Sequence, residues 1–261
     1  MLRTLINSQQ WLSRKFDELL PAEYRIDGNR DFLDTLVPKY LRQNVIIVDV
    51  GGGKNPYLSR ERKEALGATV AGFDIDGQEL SRAPDGAYDE VICADITQYR
   101  GGQTADLVIC QALLEHVQDV EAAFAAIASL LKPGGLALVF VPSRNAVFAR
   151  LNILLPQRMK KWLLHTIFPK TSRDRGFPSY YDQCTPAAFK RLAETNDLSL
   201  VEARYYYISS YFSFFFPFYL LWRMWILLFR FLRREQAAET FSMVFRKADA
   251  PVVCGVRSVN D

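Results

Sequence analysis

Residues 45–53 read VIIVDVGGG, a run of apolar and mostly β-branched residues that leads directly into three glycines. A continuous apolar run of this kind indicates a strand of a parallel sheet that is buried on both faces. Glycines directly after such a strand allow a sharp turn and a close approach of the backbone to a ligand. The stretch therefore predicts the first strand of an open α/β sheet, with a ligand-binding loop at its carboxyl end.

The unit at 45–53 is the first of several predicted strands that alternate with helices. Apolar runs predict further strands at residues 69–73, 90–94, 107–110 and 136–141. Helices separate these strands, and Asp119 is placed to cap one of them. Such an alternation is typical of a parallel sheet. Two later strands, at 198–208 and 240–246, are predicted to pair with each other as a β-hairpin.

Composition limits the classes of function. The chain has 261 residues, 49% of them hydrophobic, which fits one α/β domain with additions. A net charge of +3 is too small to predict a nucleic-acid partner. The cysteines lie far apart, and His116 and His165 give no familiar zinc spacing with them, so no metal is predicted. The first residues lack the apolar core of a signal peptide, so we expect a cytoplasmic protein.

Carboxylates mark the ends of the first three predicted strands. Asp49 stands just before the glycines, Asp74 ends the second strand, and Asp95 ends the third. The carboxyl ends of parallel strands meet at one edge of the sheet, where such folds bind ligands. A carboxylate after the second strand can accept both ribose hydroxyls of an adenosine, and Asp95 is placed to meet the adenine amino group. The pattern predicts a cofactor that contains adenosine.

Five motifs, in this order, resemble those of class I S-adenosylmethionine-dependent methyltransferases of the ubiquinone-pathway or methyltransferase-11-like kind. They are DVGGG (49–53), GFDID (72–76), CADI (93–96), LLEHV (113–117) and LKPGG (131–135). The resemblance covers about residues 40–145. It implies an α/β fold with a seven-stranded Rossmann-like sheet, mostly parallel with an antiparallel last strand, and helices on both faces. It also implies S-adenosylmethionine as the cofactor.

The same resemblance assigns residues to that cofactor. The implied site comprises Asp49, Gly51, Gly52, Gly53, Asp74, Ile75, Asp95, Ile96 and Gln111. The glycines would flank the methionine part, Asp49 would hold the loop, and Gln111 would lie beside the sulfonium. Asp74 would take the ribose, while Asp95 and the Ile96 amide would take the adenine. Asn55, followed by Pro56, stands where the family often has a third glycine, so the loop departs from the family pattern.

A nicotinamide dehydrogenase is the competing interpretation of the same loop. It shares the glycine loop and the acid after the second strand. Its loop should continue as Gly-x-Gly-x-x-Gly, but position 56 is proline. It also gives no reason for LKPGG or for the terminal pair of strands. The methyltransferase interpretation is therefore favoured.

His116 lies near the face on which an acceptor is expected, and it is the candidate catalytic base. The alternative is a structural histidine at the start of a helix. In the ubiquinone-pathway O-methyltransferases, which this stretch resembles, a Glu-x-x-Glu-His run helps to bind a divalent metal. Ala112 takes the place of the first Glu here and leaves only Glu115 and His116. No metal site is therefore predicted here.

Residues 173–182, RDRGFPSYYD, are assigned to the acceptor. In the resembling family, the segment between strand five and the following helix covers the acceptor. Arg173, Tyr180 and Tyr181 are predicted to contact it, because arginine pairs well with phosphate or carboxylate and tyrosine suits an aromatic target. An ordinary surface loop is the alternative.

Residues 211–229 read YFSFFFPFYLLWRMWILLF, which is nearly all aromatic or aliphatic. The strand at 240–246 must rejoin the sheet, so a single membrane crossing does not fit. The sequence predicts instead an interfacial helical hairpin broken at Pro217. Residues 147–168 combine apolar with basic side chains, as do helices that lie on a membrane surface. The alternative is that both segments pack together or form a homodimer interface.

These observations predict four regions along the chain. They are an N-terminal helical cap (1–43), a cofactor-binding core (44–145), acceptor-side helices and loop (146–197), and a terminal hairpin (198–250) with a membrane-facing insertion (209–235). We expect an enzyme on the inner face of a membrane that methylates an oxygen of a hydrophobic or lipid-linked acceptor. Two alternatives stay open: a soluble metabolite or sugar as the acceptor, and a non-catalytic membrane-associated assembly protein.

Overall fold

The computed structural model describes residues 2–154, 178–208 and 212–249, and its centre is a seven-stranded sheet. The strand order across the sheet is β3-β2-β1-β4-β5-β7-β6. The strands are β1 (Ile46–Val50), β2 (Thr69–Asp74), β3 (Glu90–Cys93), β4 (Ala105–Gln111), β5 (Leu131–Pro142), β6 (Leu198–Tyr206) and β7 (Thr240–Lys247). Each predicted strand is present, and β5 begins earlier than predicted because it includes the LKPGG motif.

The direction of the strands follows the prediction from the family resemblance. β1 pairs in parallel with β2 and β4, and β4 pairs in parallel with β5. β7 runs antiparallel to both β5 and β6, with Pro142 opposite Thr240 and Tyr206 opposite Thr240. The carboxyl ends of β1, β2, β4, β5 and β6 therefore share one edge, and the chain enters β7 at that same edge.

Helices cover both faces of the sheet, as predicted. They are α1 (Leu2–Glu18), α2 (Gly28–Asp31), α3 (Val37–Tyr40), α4 (Arg60–Leu66), α5 (Gly77–Ser81), α6 (Val120–Leu130), α7 (Val147–Leu154), α8 (Pro186–Glu194) and α9 (Phe216–Arg233). A π-helical turn, Phe32–Leu36, joins α2 to α3, and short 3-10 helices span Ala22–Tyr24, Leu114–His116 and Arg234–Ala237. Asp119 caps α6 by accepting from the Ala122 N–H, as predicted.

The core has one layer on each face of the sheet. On one face α6 and α8 pack on the strands, with the rings of Phe124 and Phe189 centred 4.9 Å apart. On the other face the segment that contains Phe32 and Leu36 packs against Phe140 of β5. The N-terminal segment is thus part of the main core and is fixed beside the carboxyl edge.

The apolar insertion between β6 and β7 differs from the predicted hairpin. Its helix α9 runs without a break from Phe216 to Arg233, and Pro217 lies in its first turn. The hairpin prediction is wrong because proline is tolerated at the start of a helix, where its missing N–H has no partner to lose. Within residues 2–154, 178–208 and 212–249, no helix is both long and apolar enough to cross a membrane.

Helix α9 is attached to the rest of the protein through buried polar contacts. Arg223 is fully buried, and its Nε lies 2.9 Å from an oxygen of Asp17 on α1. Its other nitrogens donate to the backbone carbonyls of Tyr207 and Tyr24, and the Tyr219 hydroxyl donates to Asp17. These contacts orient the helix so that one face is buried and the opposite face is open to solvent.

The open face of α9 carries a continuous stripe of large apolar side chains, here called the outer stripe. Its members are Phe218, Leu221, Met224, Trp225, Leu228, Phe231 and Leu232. Leu221 is 69% exposed and Phe231 is 84% exposed. Large contiguous apolar patches of this kind mark interaction surfaces in soluble proteins.

Candidate functional site

The predicted glycine loop lies at the carboxyl end of β1, in the centre of the sheet. Gly51 and Gly53 have φ angles of 80° and 48°, a region that residues with a Cβ rarely adopt. The Gly51 N–H donates to the Phe73 carbonyl of β2 at 2.7 Å, and the Asn55 N–H donates to the Gly52 carbonyl at 2.8 Å. The loop therefore folds back tightly at the place where β1 and β2 end.

Asp49 and two tyrosines hold this loop. A buried oxygen of Asp49 accepts from the Tyr57 N–H at 2.8 Å, and the Tyr88 hydroxyl donates to the Gly53 carbonyl at 3.1 Å. Burial raises the pKa of Asp49 to about 6, and hydrogen bonds from Tyr57 and Tyr88 oppose the rise. Neither tyrosine was predicted, because each contacts the loop from a separate part of the chain and belongs to none of the five motifs.

The loop has no room for a side chain at Gly52 or Gly53. A Cβ on Gly52 would lie 2.5 Å from the Tyr88 hydroxyl oxygen and 2.6 Å from an Asp49 oxygen. A Cβ on Gly53 would lie 3.1 Å from an oxygen of Asp74. The bare backbone thus reaches directly to the carboxylate predicted to bind ribose. This arrangement fits an adenosyl cofactor lying along the loop with its sugar at Asp74.

The other predicted cofactor residues follow the neighbouring strand ends. Asp74 is half-buried, which raises its pKa, and one of its oxygens accepts from the Asp76 N–H at 2.9 Å. Asp95 accepts from the N–H and the hydroxyl of Thr97, both at 2.9 Å, so one of its oxygens is occupied within its own turn. Ile75 is exposed beside Asp74, and Ile96 is buried. The structure brings these residues to one edge, and their contacts with a cofactor stay predictions.

Gln111 connects the cofactor side to the N-terminal segment. It ends β4, opposite Phe140 of β5, and its side-chain amide donates to the side-chain oxygen of Asn29 at 2.7 Å. Asn29 lies in α2, whose first residue, Gly28, packs against Tyr206 and Thr240. The residue predicted to lie beside the sulfonium is therefore held by a contact that no sequence motif indicated.

A cavity of about 550 Å³ opens next to this contact, at the ends of β5 and β7. We call it the acceptor-side cavity. Its walls include Ser13, Asp17, Gly28, Asn29, Phe140, Pro142, Phe148, Tyr219 and Thr240. They come from α1, the cap segment, the sheet edge, α7 and α9. The cavity combines aromatic rings with hydroxyl, amide and carboxylate groups, so it can hold an apolar ring or chain and orient a polar atom.

His116 lies in the 3-10 turn after β4, outside the walls of this cavity. Its Nδ1 is 3.0 Å from the Pro178 carbonyl oxygen, and because a carbonyl can only accept, Nδ1 is the donor in this hydrogen bond. Nε2 is 3.8 Å from an oxygen of Glu115, and burial raises the pKa of Glu115 to about 8. The role of His116 as a base stays a prediction, and its observed contacts fix the segment at Pro178.

The predicted acceptor loop is described only from residue 178 onward, so Arg173 lies outside the described residues. Tyr180 is 40% exposed, and its hydroxyl accepts from the Gln118 amide at 2.8 Å. Tyr181 is 4% exposed and packs in the core on the face covered by α6. Its burial leaves Tyr181 little surface to offer an acceptor, so within the described part of the loop Tyr180 is the exposed candidate.

Comparison with known proteins agrees with this geometry. A family model described as "Methyltransferase domain" matches residues 22–203, which is more than half of the chain. The ubiquinone biosynthesis O-methyltransferase of Cupriavidus pinatubonensis is 29% identical over 165 residues, 60% of this chain and 61% of that protein. The enzyme of the same name from Thiobacillus denitrificans is 29% identical over 178 residues, 66% of this chain and 70% of that protein. The chain thus spans about three fifths of the first relative's length.

Solved structures share the fold at low sequence identity. An S-adenosylmethionine-dependent methyltransferase from Mesorhizobium loti matches with a TM-score of 0.55 and 17% identity, covering 85% of this chain and 98% of that one. Phosphoethanolamine N-methyltransferase 2 of Haemonchus contortus, solved with S-adenosylmethionine, matches with a TM-score of 0.53 and 14% identity, over 84% of this chain and 53% of that one. Together with the family match, the sheet order and the glycine loop, these findings establish that the chain belongs to the class I S-adenosylmethionine-dependent methyltransferases.

Proposed function

We propose that this methyltransferase transfers the methyl group to an oxygen of a hydrophobic or lipid-linked acceptor that it takes from a membrane surface. The acceptor lies in the acceptor-side cavity, with the cofactor along the glycine loop. The position of the acceptor-side cavity carries this proposal. Gln111 and Asn29 are in contact, Gln111 ends the strand next to β1, and Asn29 lines the cavity.

The residues of this chain align two reactants and supply little covalent chemistry. When bound, S-adenosylmethionine supplies a methyl group on a positively charged sulfur that leaves as a neutral thioether. The loop and Asp74 hold the adenosyl end, and the Gln111–Asn29 contact sets the distance between the cofactor side and the cavity. Phe140 and Phe148 hold the acceptor against that side and exclude water. Such alignment accounts for a large share of the rate in transfers between two bound molecules.

Two observations support an apolar acceptor at a membrane. The outer stripe of α9 and the exposed Leu5 and Trp11 of α1 belong to helices that also line the acceptor-side cavity, through Tyr219 and Ser13. A helix with apolar residues on its open face and arginines at its end suits the membrane interface. Oxygen as the target atom is supported by the two relatives from Cupriavidus pinatubonensis and Thiobacillus denitrificans, which are named ubiquinone biosynthesis O-methyltransferases.

The test separates docking at the membrane from catalysis. A triple variant, Leu221→Ser, Leu228→Ser and Phe231→Ser, removes exposed side chains of the outer stripe. Each of these side chains would bury apolar area in the interface, so we expect at least a tenfold loss of methyl transfer from labelled cofactor into lipid extract reconstituted in vesicles. Transfer to the same extract dispersed in detergent and the affinity for S-adenosylhomocysteine should both stay within about twofold.

A matched control changes three exposed apolar residues on the two outermost strands of the sheet, β3 and β6. The changes are Val91→Ser, Leu200→Ser and Val201→Ser. The control should transfer into vesicles as the wild type does. Equal activity of the wild type and the outer-stripe variant on vesicles would refute the membrane proposal. Methylation of a water-soluble extract alone, with a dimer that the outer-stripe variant dissociates, would support the soluble-acceptor alternative instead.

A further inference from the structure

A second groove, of about 670 Å³, opens between α7 and α9 on the outer side of the insertion. We call it the α7–α9 groove. Arg150 and Leu151 of α7 form one side, and Trp225, Phe229 and Arg233 of α9 form the other. These residues line neither the acceptor-side cavity nor the glycine loop. The groove is therefore a separate concave site, and neither the cofactor nor the acceptor explains it.

The α9 side of the groove is aromatic and flat. The rings of Trp225 and Phe229 stack with their centroids 5.9 Å apart and their planes within 13° of parallel. Trp225 is also a member of the outer stripe, so the groove opens directly onto that exposed apolar face. A flat aromatic wall that continues into an apolar surface suits a hydrocarbon chain, and tryptophan is common at the level of lipid headgroups.

Two of the residues that line the groove are positively charged. Arg150 and Arg233 are exposed, and among the described residues no carboxylate pairs with either. The acid nearest to Arg233 in the chain, Glu235, is already held by Lys190 at 2.9 and 3.0 Å. Arg230 is directed elsewhere, to Glu23 at 3.1 Å. Two guanidinium groups beside an apolar wall, with no carboxylate partner among the described residues, are complementary to a ligand with a phosphate at one end and a hydrocarbon chain at the other.

We propose that the α7–α9 groove binds one anionic phospholipid. The guanidinium groups of Arg150 and Arg233 hold its phosphodiester, and the first carbons of an acyl chain lie along Trp225 and Phe229. The inference rests on the proposed function in one respect, because it takes the outer stripe to face a membrane. It adds a selectivity for anionic headgroups that the apolar stripe by itself does not produce.

The experiment compares two double variants that each remove two positive charges. Arg150→Gln with Arg233→Gln changes the groove, and Arg42→Gln with Arg60→Gln is the control, since those exposed arginines pair with Asp106 and Glu64. Flotation is measured with phosphatidylcholine vesicles that contain or lack phosphatidylglycerol. A basic residue near an anionic surface contributes about 1 kcal/mol, so the groove variant should bind the phosphatidylglycerol vesicles roughly thirtyfold more weakly. The control should change by less than about threefold.

A second measurement locates the lipid. Phosphatidylglycerol with brominated acyl chains quenches tryptophan fluorescence at short range, and Trp225→Phe identifies the share that comes from the groove. We expect one component of the wild-type quenching to disappear both in Trp225→Phe and in the groove variant. All variants change exposed side chains, and binding of S-adenosylhomocysteine reports that they are folded.

The outcomes distinguish this inference from the proposed function. Equal binding of the wild type to both kinds of vesicle would overturn the lipid site and leave the membrane proposal standing. An equal loss in both double variants would show diffuse attraction in place of a site and would also overturn it. A different result is that the wild type binds inorganic phosphate saturably, that the groove variant loses this binding, and that the wild type shows no preference between the two kinds of vesicle. That result would overturn the lipid site and identify the ligand of the groove as free phosphate. Flotation with neither vesicle would refute the membrane proposal itself.

Discussion

The two halves of the sheet's carboxyl edge are built in different ways. On the cofactor half, the predicted groups stand in or directly after the strands that position them, as Asp49 and Asp74 do. On the acceptor half, the contacts join distant parts of the chain: Asp17 meets Tyr219 and Arg223 across about 200 residues. The cofactor half is therefore a set of strand ends, whereas the acceptor half is an assembly of α1, α7 and α9 around the edge.

This difference predicts how each half responds to mutation. A change at a strand end should alter cofactor affinity and leave the other half folded. A change in the α1–α9 contacts should reduce the stability of the cap and the insertion together, because Asp17 of α1 contacts both Tyr219 and Arg223 of α9. Four substitutions, in decreasing order of expected effect, test whether the two halves respond separately.

Arg223→Met should have the largest effect. It removes the partner of a buried Asp17 and leaves two backbone carbonyls, of Tyr207 and Tyr24, without their donor. Breaking one side of a buried ion pair costs about 3–5 kcal/mol. Urea unfolding followed by fluorescence would measure the loss. The double variant Asp17→Leu with Arg223→Met should recover at least half of it, because no unpaired charge remains. A loss below about 1 kcal/mol would show that α9 is held by its apolar face alone.

Gly52→Ala should weaken the cofactor half alone. Its new Cβ would lie 2.5 Å from the Tyr88 oxygen and 2.6 Å from Asp49, so the loop must shift. Overpacking of this kind costs about 1–3 kcal/mol, and when the cofactor-bound loop must meet this cost, the affinity for S-adenosylhomocysteine falls roughly fivefold to 150-fold. Calorimetry would measure it. Gly102→Ala is the matched control, since a Cβ there meets only Thr104 at 3.8 Å. Unchanged affinity in a folded Gly52→Ala would place the cofactor elsewhere.

Glu239→Gln should change the pH dependence of stability on the acceptor half. Burial raises the pKa of Glu239 to about 7, and the nearby Val147 backbone, Trp222 and Arg223 oppose the rise only in part. A carboxyl with a raised pKa stabilises the fold while it is protonated, and this contribution is lost as the pH rises through the folded value. The variant should therefore gain about 2–3 kcal/mol over the wild type as the pH rises from about 4.5 to about 7, with little further gain above that.

Unfolding by urea at several pH values measures this difference. Asp49 and Glu115, whose pKa values burial also raises, are present in both proteins and cancel in the comparison. Parallel stability curves for the wild type and the variant would show that Glu239 does not titrate in this range.

His116→Gln should have the smallest effect. The side chain lies outside the acceptor-side cavity and holds the Pro178 carbonyl, so turnover should fall by less than about tenfold. A positioned general base contributes about a hundredfold or more. Single-turnover methyl transfer across a pH series would decide between the two roles. A loss above a hundredfold, together with the disappearance of a pH-dependent limb, would establish His116 as the base.

Local sequence patterns predicted the strands of the sheet and the edge at which a cofactor is expected, and the family resemblance supplied the antiparallel last strand. A continuous apolar run indicates a strand that is buried on both faces. A residue at the end of a strand is positioned by that strand, so the positions of Gly51, Asp74 and Gln111 follow from their neighbours in sequence. The same reasoning failed at Pro217, because a proline pattern does not say whether it interrupts a helix or begins one. It also gave no indication of Tyr88.

The assembly of the acceptor half depends on tertiary contacts that local sequence patterns do not predict. The Gln111–Asn29 contact, the Asp17–Arg223 pair and the exposed side of α9 depend on which surfaces meet across long stretches of chain. The sequence of an apolar helix is similar whether the helix faces lipid, another protein or the core of its own domain. The buried arginine resolves the orientation, since a charge without water must face its partner and thereby turns the opposite side of the helix outward.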